Sequence, residues 1–410
     1  MNLNRGRHHL SIPGPSVIPD RVLSAMNRPM PNIYEGDLVE TSQSNIDRLP
    51  AVARTKGQAF ISVSNGHGAW EMALTNTLSR GDKVLILASG RFAPGWGAQA
   101  EMLGCVAETI HFGDRGWVDP QQVEDHLRAD TSHEIKAVLV VQIDTASGVW
   151  NDIAAIRKAI DAAGHPALYM VDTIASLGCV PYEMDAWGVD ITVGGSQKGL
   201  MVPPGLGFIW ASDKALEAHK SADMRTPYWD ITARQGDGGH YVRYCGTPPI
   251  QHIYGLREAL DMIDEEGLDA IWARHAIFAK AVRAAVSEWA TDGGIEFNIP
   301  DAAHRSDSTT TILTGAIDSD RLRQIAEDQC GMTLGVGLGD FAGRAFRIGH
   351  MGHLNPPMIL GTLGTVEAAL AAMGAPVGGS GVASAASVIA GALAARPAST
   401  TAAPTADCCG

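Results

Sequence analysis

The sequence predicts an α/β protein, with a large and mostly parallel sheet followed by a smaller α+β part. Three observations carry this reading. Short apolar runs alternate with amphipathic stretches through the first two-thirds of the chain, the pattern changes after about Asp261, and from Gly374 onward charge and periodicity both fade. Uninterrupted apolar strands separated by helices mark a parallel sheet covered on both faces.

The expected strands of the first part are 83–87, 137–141, 168–171, 190–193 and 207–210, each a run of apolar residues. Between them, 152–163 predicts a helix because Ile153, Ile156 and Ile160 share one face. A second helix is expected over 70–78. In the later part a long helix is expected over 267–289, a Thr-rich strand over 307–313, a helix over 320–329, a strand over 344–348 and a last helix over 358–373. This divides the chain into an N-terminal segment (1–15), a large domain (16–260), a small domain (261–374) and a low-complexity tail (375–410). The tail is rich in Gly, Ala, Ser, Thr and Pro and is expected to be largely disordered, with a short helix over 382–395 as its one ordered stretch. The run Gly335-x-Gly337-x-Gly339 lacks the acidic residue and preceding strand of a dinucleotide fingerprint and reads as a flexible loop.

The 410 residues carry 31 Lys and Arg against 45 Asp and Glu, a formal net charge of −14. Such a chain repels phosphate backbones and anionic membrane surfaces, so neither nucleic acid nor membrane is an expected partner. No apolar run is long enough to span a bilayer, and prolines interrupt the amino terminus before a signal-like stretch develops, so a cytoplasmic protein is expected. Cys105, Cys179, Cys245 and Cys330 stand singly and read as reduced, buried thiols, while Cys408 and Cys409 form no spaced ligand pair.

Chemistry is concentrated in three places. Lys198 sits in Gly194-Gly195-Ser196-Gln197-Lys198-Gly199, with Pro203-Pro204-Gly205 at the exit. A bland reading makes this a surface turn. The apolar, Gly-rich flanks favour instead a partly desolvated amine that loses its proton easily, the condition for a Schiff-base lysine. Asp172 ends the apolar run Tyr169-Met170-Val171, which places a carboxylate at the carboxyl edge of the sheet, where α/β proteins bind ligands. Alone, such an Asp caps a helix or turn as readily as it does chemistry. Together the two suit a carboxylate opposite a pyridinium nitrogen and a lysine on an aldehyde carbon. The third place is Ser64-Asn65-Gly66-His67-Gly68, a small-residue loop before a helix, whose exposed amides suit a phosphate.

With Phe346-Arg347-Ile348-Gly349-His350-Met351-Gly352 added, these motifs resemble the class V aminotransferases, fold-type I enzymes dependent on pyridoxal 5′-phosphate, and within them the alanine/serine–glyoxylate group. The resemblance runs from Ile12-Pro13-Gly14-Pro15 to about Gly374. It implies a seven-stranded large sheet, Lys198 as the Schiff-base and proton-transfer lysine, and Asp172 paired with the pyridine nitrogen. Phe92 would stack on the cofactor ring, and Thr145 would bond its phenolic oxygen. Asn65, Gly66 and His67 would hold the phosphate through their amides, together with Gln197. Arg347 would bind the substrate carboxylate. Tyr244 and Thr247 would reach the phosphate of a neighbouring subunit, implying a homodimer. The implied reaction is ping-pong transfer from serine, alanine or aspartate to a 2-oxo acid such as glyoxylate. Tyr34, Glu35 and Arg91 stand near the matched segments as residues that could read the donor side chain.

The nearest alternative is pyridoxamine–pyruvate aminotransferase, which shares the Arg347 run but carries Glu where this chain has Asn65. A desulfurase or lyase is a further alternative. Phe92 and Gln197 stand where a desulfurase has His, and Cys330 lies at an expected helix end. A binding-only protein on the same scaffold would have no use for Lys198, Asp172 and Arg347 together. His350 and His353 are spaced for metal but lack a third ligand nearby, and no metal is expected.

Overall fold

A computed structural model describes residues 3–235, 239–291 and 294–395. In chain order its strands are β1 (His9–Ser11), β2 (Gln58–Ser64), β3 (Lys83–Ser89), β4 (Val106–Gly113), β5 (Ile135–Val141), β6 (Ile143–Asp144), β7 (Val149–Trp150), β8 (Leu168–Asp172), β9 (Ile191–Gly195), β10 (Gly205–Ala211), β11 (Glu296–Phe297), β12 (Thr309–Leu313), β13 (Met332–Val336) and β14 (Ala345–Gly349). Seven of them form the large sheet in the order β2-β10-β9-β8-β5-β3-β4. β9, β8, β5, β3 and β4 run parallel, and only β10 is reversed, antiparallel to both of its neighbours.

The apolar runs alternate between two cores. In β5, Val138 and Val140 enter one buried cluster while Ala137, Leu139 and Val141 enter the other; Leu85 and Leu87 are likewise divided from Val84 and Ile86 in β3. With both faces buried, successive side chains must all be apolar, which is why these strands are legible as unbroken runs. The strands not expected from the sequence, β2 and β4, are the two edges of this sheet. β4 alternates partly buried with exposed positions and so carries polar residues.

The smaller sheet has the order β1-β13-β14-β12-β11. Its core gathers Val282, Val286 and Trp289 of the helix Leu268–Trp289, Leu322 and Ile325 of the helix Ser319–Cys330, and Leu363 and Val366 of the helix Pro356–Ala372. Two expectations change here. The N-terminal segment is part of this unit, because β1 pairs parallel to β13 through His9–Met332, Leu10–Thr333 and Ser11–Leu334. Packing into the large core runs past 261, since Ile263 and Ile271 still belong to it. The helix expected over 382–395 is present as Gly381–Ala394, and it lays Ala385 and Ile389 into the small core, where Gly381 lies against the Trp289 ring. Small residues that look like low complexity in sequence allow this close helix approach. The rest of the tail, 396–410 with Cys408 and Cys409, lies outside the described residues.

The cysteines also divide differently from expectation. Cys105 and Cys179 are buried, Cys330 is intermediate and Cys245 is exposed, its thiol donating to the Pro227 carbonyl at 3.2 Å. The Gly335–Gly339 run is closely packed where a flexible loop was expected: Gly335 belongs to β13, and a Cβ there would press on Pro13 and Arg347. Among the described residues no helix is long and apolar enough to cross a membrane.

One contact ties the N-terminal segment to the small sheet. A methyl group on Gly349 would fall on the Ile12 carbonyl, so β14 and residues 12–13 approach to backbone distance only because Gly349 has no side chain. Gly349→Ala is expected to cost about 2 kcal/mol, read as a lower midpoint in urea denaturation. Gly361→Ala, in the exposed middle of the helix Pro356–Ala372 with nothing within 4 Å of the added methyl, is expected to gain about 0.5–1 kcal/mol in the same assay.

Candidate active site

The carboxyl ends of β2, β3, β5, β8 and β9 lie along one edge of the large sheet, and each is followed by a residue singled out above. Asn65 and Gly66 follow β2, Phe92 opens the helix after β3, and Thr145 follows β5 and the short β6. Asp172 closes β8, and Gln197 and Lys198 follow β9. Gly66, His67, Phe92, Thr145, Asp172, Gln197 and Lys198 line a single cavity of about 110 Å³, together with Trp70, Val141, Ile143, Ile174 and Ala175. Residues distant in sequence meet here because parallel strands present the same end to the same side.

Asp172 is 3% exposed. Its Oδ2 accepts from Trp70 Nε1 at 2.8 Å and its Oδ1 from the Ile174 amide at 2.7 Å. Burial pushes the carboxyl up to about 7, against these two bonds, which favour the charged form. Trp70 was not expected at the site. It sits one turn into the helix Gly66–Thr77, stacked on Trp96 with ring centroids 5.9 Å apart. An indole in an apolar helix gives no sequence signal that its N–H faces a carboxylate 102 residues away.

Lys198 borders the cavity while its ammonium sits deep among protein atoms. Burial first, then the charge of Arg347, bring its pKa down to about 8. Its Nζ donates to the Pro13 carbonyl, and Gly14 lies flat against the side chain. The same N-terminal segment is fastened on both sides of the lysine, the Ser16 amide donating to Gln197 O at 2.8 Å and Ser16 Oγ to Lys198 O at 2.7 Å. Gln197 Oε1 is buried without a hydrogen-bond partner.

Arg347 enters from the small sheet. Its Nε donates to Val336 O at 2.7 Å and its Nη1 to Thr145 O at 2.6 Å, and burial lowers it to about 10. Thr145 belongs to a turn organised by Asp144, another residue to which the sequence reading gave no role. Asp144 Oδ1 accepts from the amides of Ala146 and Ser147 and from Ser147 Oγ, while Oδ2 accepts from the amides of Arg91 and Phe92. One fully buried carboxylate thus fixes the loops after β3 and β5 together. Asp144-x-x-Ser147-Gly148 carries the chemistry of such an Asx turn, and that was its available signal.

Two expected contacts are not made within this chain, and a third residue takes the structural role its sequence reading favoured. The His67 amide is not open to a phosphate in this structure, because Asn65 caps its own helix and takes the amides of His67 and Gly68 on Oδ1 at 3.1 and 3.3 Å. Tyr244 does not project from the chain: it is 1% exposed and its hydroxyl bonds Ser42 Oγ at 2.5 Å, whereas Thr247 is exposed. Neither lines the cavity. His350 is fully buried, Nδ1 bonded to Asp307 O and Nε2 to Thr310 Oγ1, so its ring pins β14 to the start of β12.

The lowered Lys198 pKa has a measurable consequence. The unfolded chain holds a proton on this amine up to about 10.5, the folded chain only to about 8. Folding therefore becomes more favourable as pH rises through that window, and the penalty is complete below it. For cofactor-free protein, Lys198→Met is expected to be more stable than wild type by about 2 kcal/mol at pH 7, the gap closing towards pH 10, as read by denaturant titration across pH.

The comparisons with known proteins agree with this arrangement. The family described as Aminotransferase class-V matches residues 14–339. The chain is 41% identical over 396 residues to a serine–glyoxylate aminotransferase of Methylorubrum extorquens, covering 94% of this chain and 96% of that protein. It is 39% identical over 390 residues to an L-aspartate–glyoxylate aminotransferase of Paracoccus denitrificans, covering 91% and 94%. Among solved structures, a pyridoxamine–pyruvate aminotransferase from Mesorhizobium loti superposes with a TM-score of 0.86 at 29% identity, over 96% of this chain and 100% of that one. A sheet edge that brings a desolvated lysine and a buried carboxylate to one cavity, with an arginine bonded to the Thr145 carbonyl at its wall, is thus found in a chain that belongs to the class V aminotransferases.

Proposed function

We propose that this aminotransferase uses pyridoxal 5′-phosphate to move the amino group of serine, alanine or aspartate to glyoxylate by a ping-pong route. The observation that carries the reading is Asp172 and Lys198 on one cavity, each desolvated and neither ion-paired to a side chain. The residues fit the cofactor. A carboxylate 3% exposed that forms no ion pair among the described residues would be completed by a protonated pyridine nitrogen. The buried Gln197 Oε1 has no hydrogen-bond partner among the described residues, which leaves this side chain available to a ligand. Thr145 Oγ1 makes no hydrogen bond among the described residues and can serve the phenolic oxygen, and the ring of Phe92 lines the same cavity. The helix Gly66–Thr77 turns its amino terminus to the cavity, where a phosphate is favoured and the Asn65 cap would give way to it.

When bound, pyridoxal phosphate supplies an aldehyde that condenses with amines and a ring that accepts the electron pair left at the substrate Cα. This chain's own residues do the rest. Arg347 has Nη2 left over after binding Val336 O and Thr145 O, and it would take the α-carboxylate, orienting the Cα–H bond towards Lys198. Lys198 Nζ, poised near pH 8, would accept the Cα proton, hold it as an ammonium and release it later in the transfer. Asp172, held by Trp70 and Ile174, keeps the pyridine nitrogen protonated. In a homodimer, the exposed Thr247 would serve the phosphate of the partner's site.

Stopped-flow absorbance of the holoenzyme tests this reading. Its yellow colour is expected to bleach with one of the three donors and to return with glyoxylate. Colour that responds only to pyridoxamine and pyruvate would favour that activity instead, a reading Asn65 opposes. Arg347→Lys is expected to retain cofactor absorbance and lose about 30- to 100-fold in kcat/KM for the donor, mostly through KM, since an ammonium cannot replace a fork that also holds two carbonyls. Trp70→Phe is expected to keep the stacked packing but weaken cofactor retention about tenfold by removing one of the two donors to Asp172, measured by cofactor release on dilution.

A further inference from the structure

Lys198, Asp172 and Arg347 handle atoms common to every amino donor, so the donor side chain must be read elsewhere. Arg91 is placed to read it. It immediately precedes Phe92, which lines the cavity, and its backbone is fixed by the amide bond to Asp144 Oδ2 at 2.8 Å. Its guanidinium makes no hydrogen bond or ion pair among the described residues. It rests against Gly339, where an added Cβ would lie 2.9 Å from Nη1.

Gly339 belongs to the turn from β13 to β14, and Arg347 Nε donates to Val336 O at the start of that same turn. Two guanidiniums therefore touch one short segment, the buried Arg347 at Val336 and the exposed Arg91 at Gly339. The three residues of chain between these contacts span at most about 11 Å, and the long Arg91 side chain, held by no partner, can swing to meet a small dicarboxylic acid that Arg347 also holds. Among the described residues no carboxylate neutralises Arg91. Asp144 beneath it is already filled by five donors, and Asp340, next to Gly339, forms no ion pair with it. A guanidinium exposed and unpaired among the described residues, one residue before the Phe92 that lines the cavity, favours a carboxylate over the neutral hydroxymethyl or methyl group of serine or alanine.

We propose that Arg91 binds the second carboxylate of a dicarboxylic amino donor, making this a site for aspartate-type substrates. The inference rests on the donor reading above and deepens it. The test is the ratio of kcat/KM for aspartate to that for serine, measured by single-turnover bleaching of the holoenzyme for wild type, Arg91→Gln and Arg91→Lys. Wild type is expected to favour aspartate. Arg91→Gln is expected to lower the ratio at least about tenfold, with Arg91→Lys recovering part of it. A folding defect lowers both rates and leaves the ratio in place, so it cannot imitate this result. A ratio that changes less than tenfold in Arg91→Gln, or a wild type that favours serine, overturns the assignment while leaving the transamination reading intact. A wild type that bleaches with neither overturns the assignment, and one that bleaches with none of aspartate, serine and alanine overturns both.

Discussion

The structure turns on two ionisable groups held away from water without being paired to each other. Burial makes the charged form of Asp172 costly and likewise that of Lys198, so one pKa rises to about 7 and the other falls to about 8. Each is kept in place by neutral partners. Asp172 has an indole and an amide, and Lys198 has a backbone carbonyl. Pairing them directly would neutralise both and fill the cavity. Holding them apart leaves a carboxylate that forms no ion pair among the described residues and an amine that gives up its proton near pH 8.

Much of the fold serves to keep that spacing rigid. The turn after β5 is fixed from within by Asp144 and from outside by the small unit: Thr311 Oγ1 donates to Ala146 O at 3.0 Å, Asn298 Nδ2 to Ser147 O at 2.8 Å, and Arg347 Nη1 to Thr145 O. The N-terminal segment performs the corresponding task for Lys198. It leaves the small sheet at β1, passes Gly349 at backbone distance, and is fastened on Gln197 and Lys198 by Ser16. Any shift of the small unit against the large one therefore moves the contacts of Arg347 and those of Lys198 together. On the proposed reading, this short strap links substrate binding at Arg347 mechanically to proton transfer at Lys198.

His350 and the Gly381–Ala394 helix show the same economy at a greater distance. A buried imidazole that spends both nitrogens on Asp307 O and Thr310 Oγ1 holds β14 in register, which a metal ligand could not do at the same time. The helix of small residues closes the small core over Trp289 and so stiffens the sheet that carries Arg347. Its composition suggested disorder because Ala, Ser and Gly carry little apolar surface each. Their value lies in close approach, which composition does not record.

The sequence by itself determined the central parallel strands, the helices between them and the place of Lys198, Asp172 and Arg347, because these depend on local rules. A strand buried on both faces must be apolar throughout, and a catalytic residue at its carboxyl end follows the run directly. Edge strands β2 and β4 and the pairing of β1 were not legible, since β4 alternates partly buried with exposed positions, β2 mixes serines into its buried run, and a three-residue strand has too little pattern. Only the tertiary structure decided that Trp70 bonds Asp172, that Asp144 unites two loops, that Asn65 occupies the amides of its own helix, and that Tyr244 turns inward to Ser42. Apart from the local Asn65 cap, each of these is a polar contact between distant segments, selected by which donors and acceptors the packed core leaves without water. That selection is made when the elements pack, and nothing in the local sequence anticipates it.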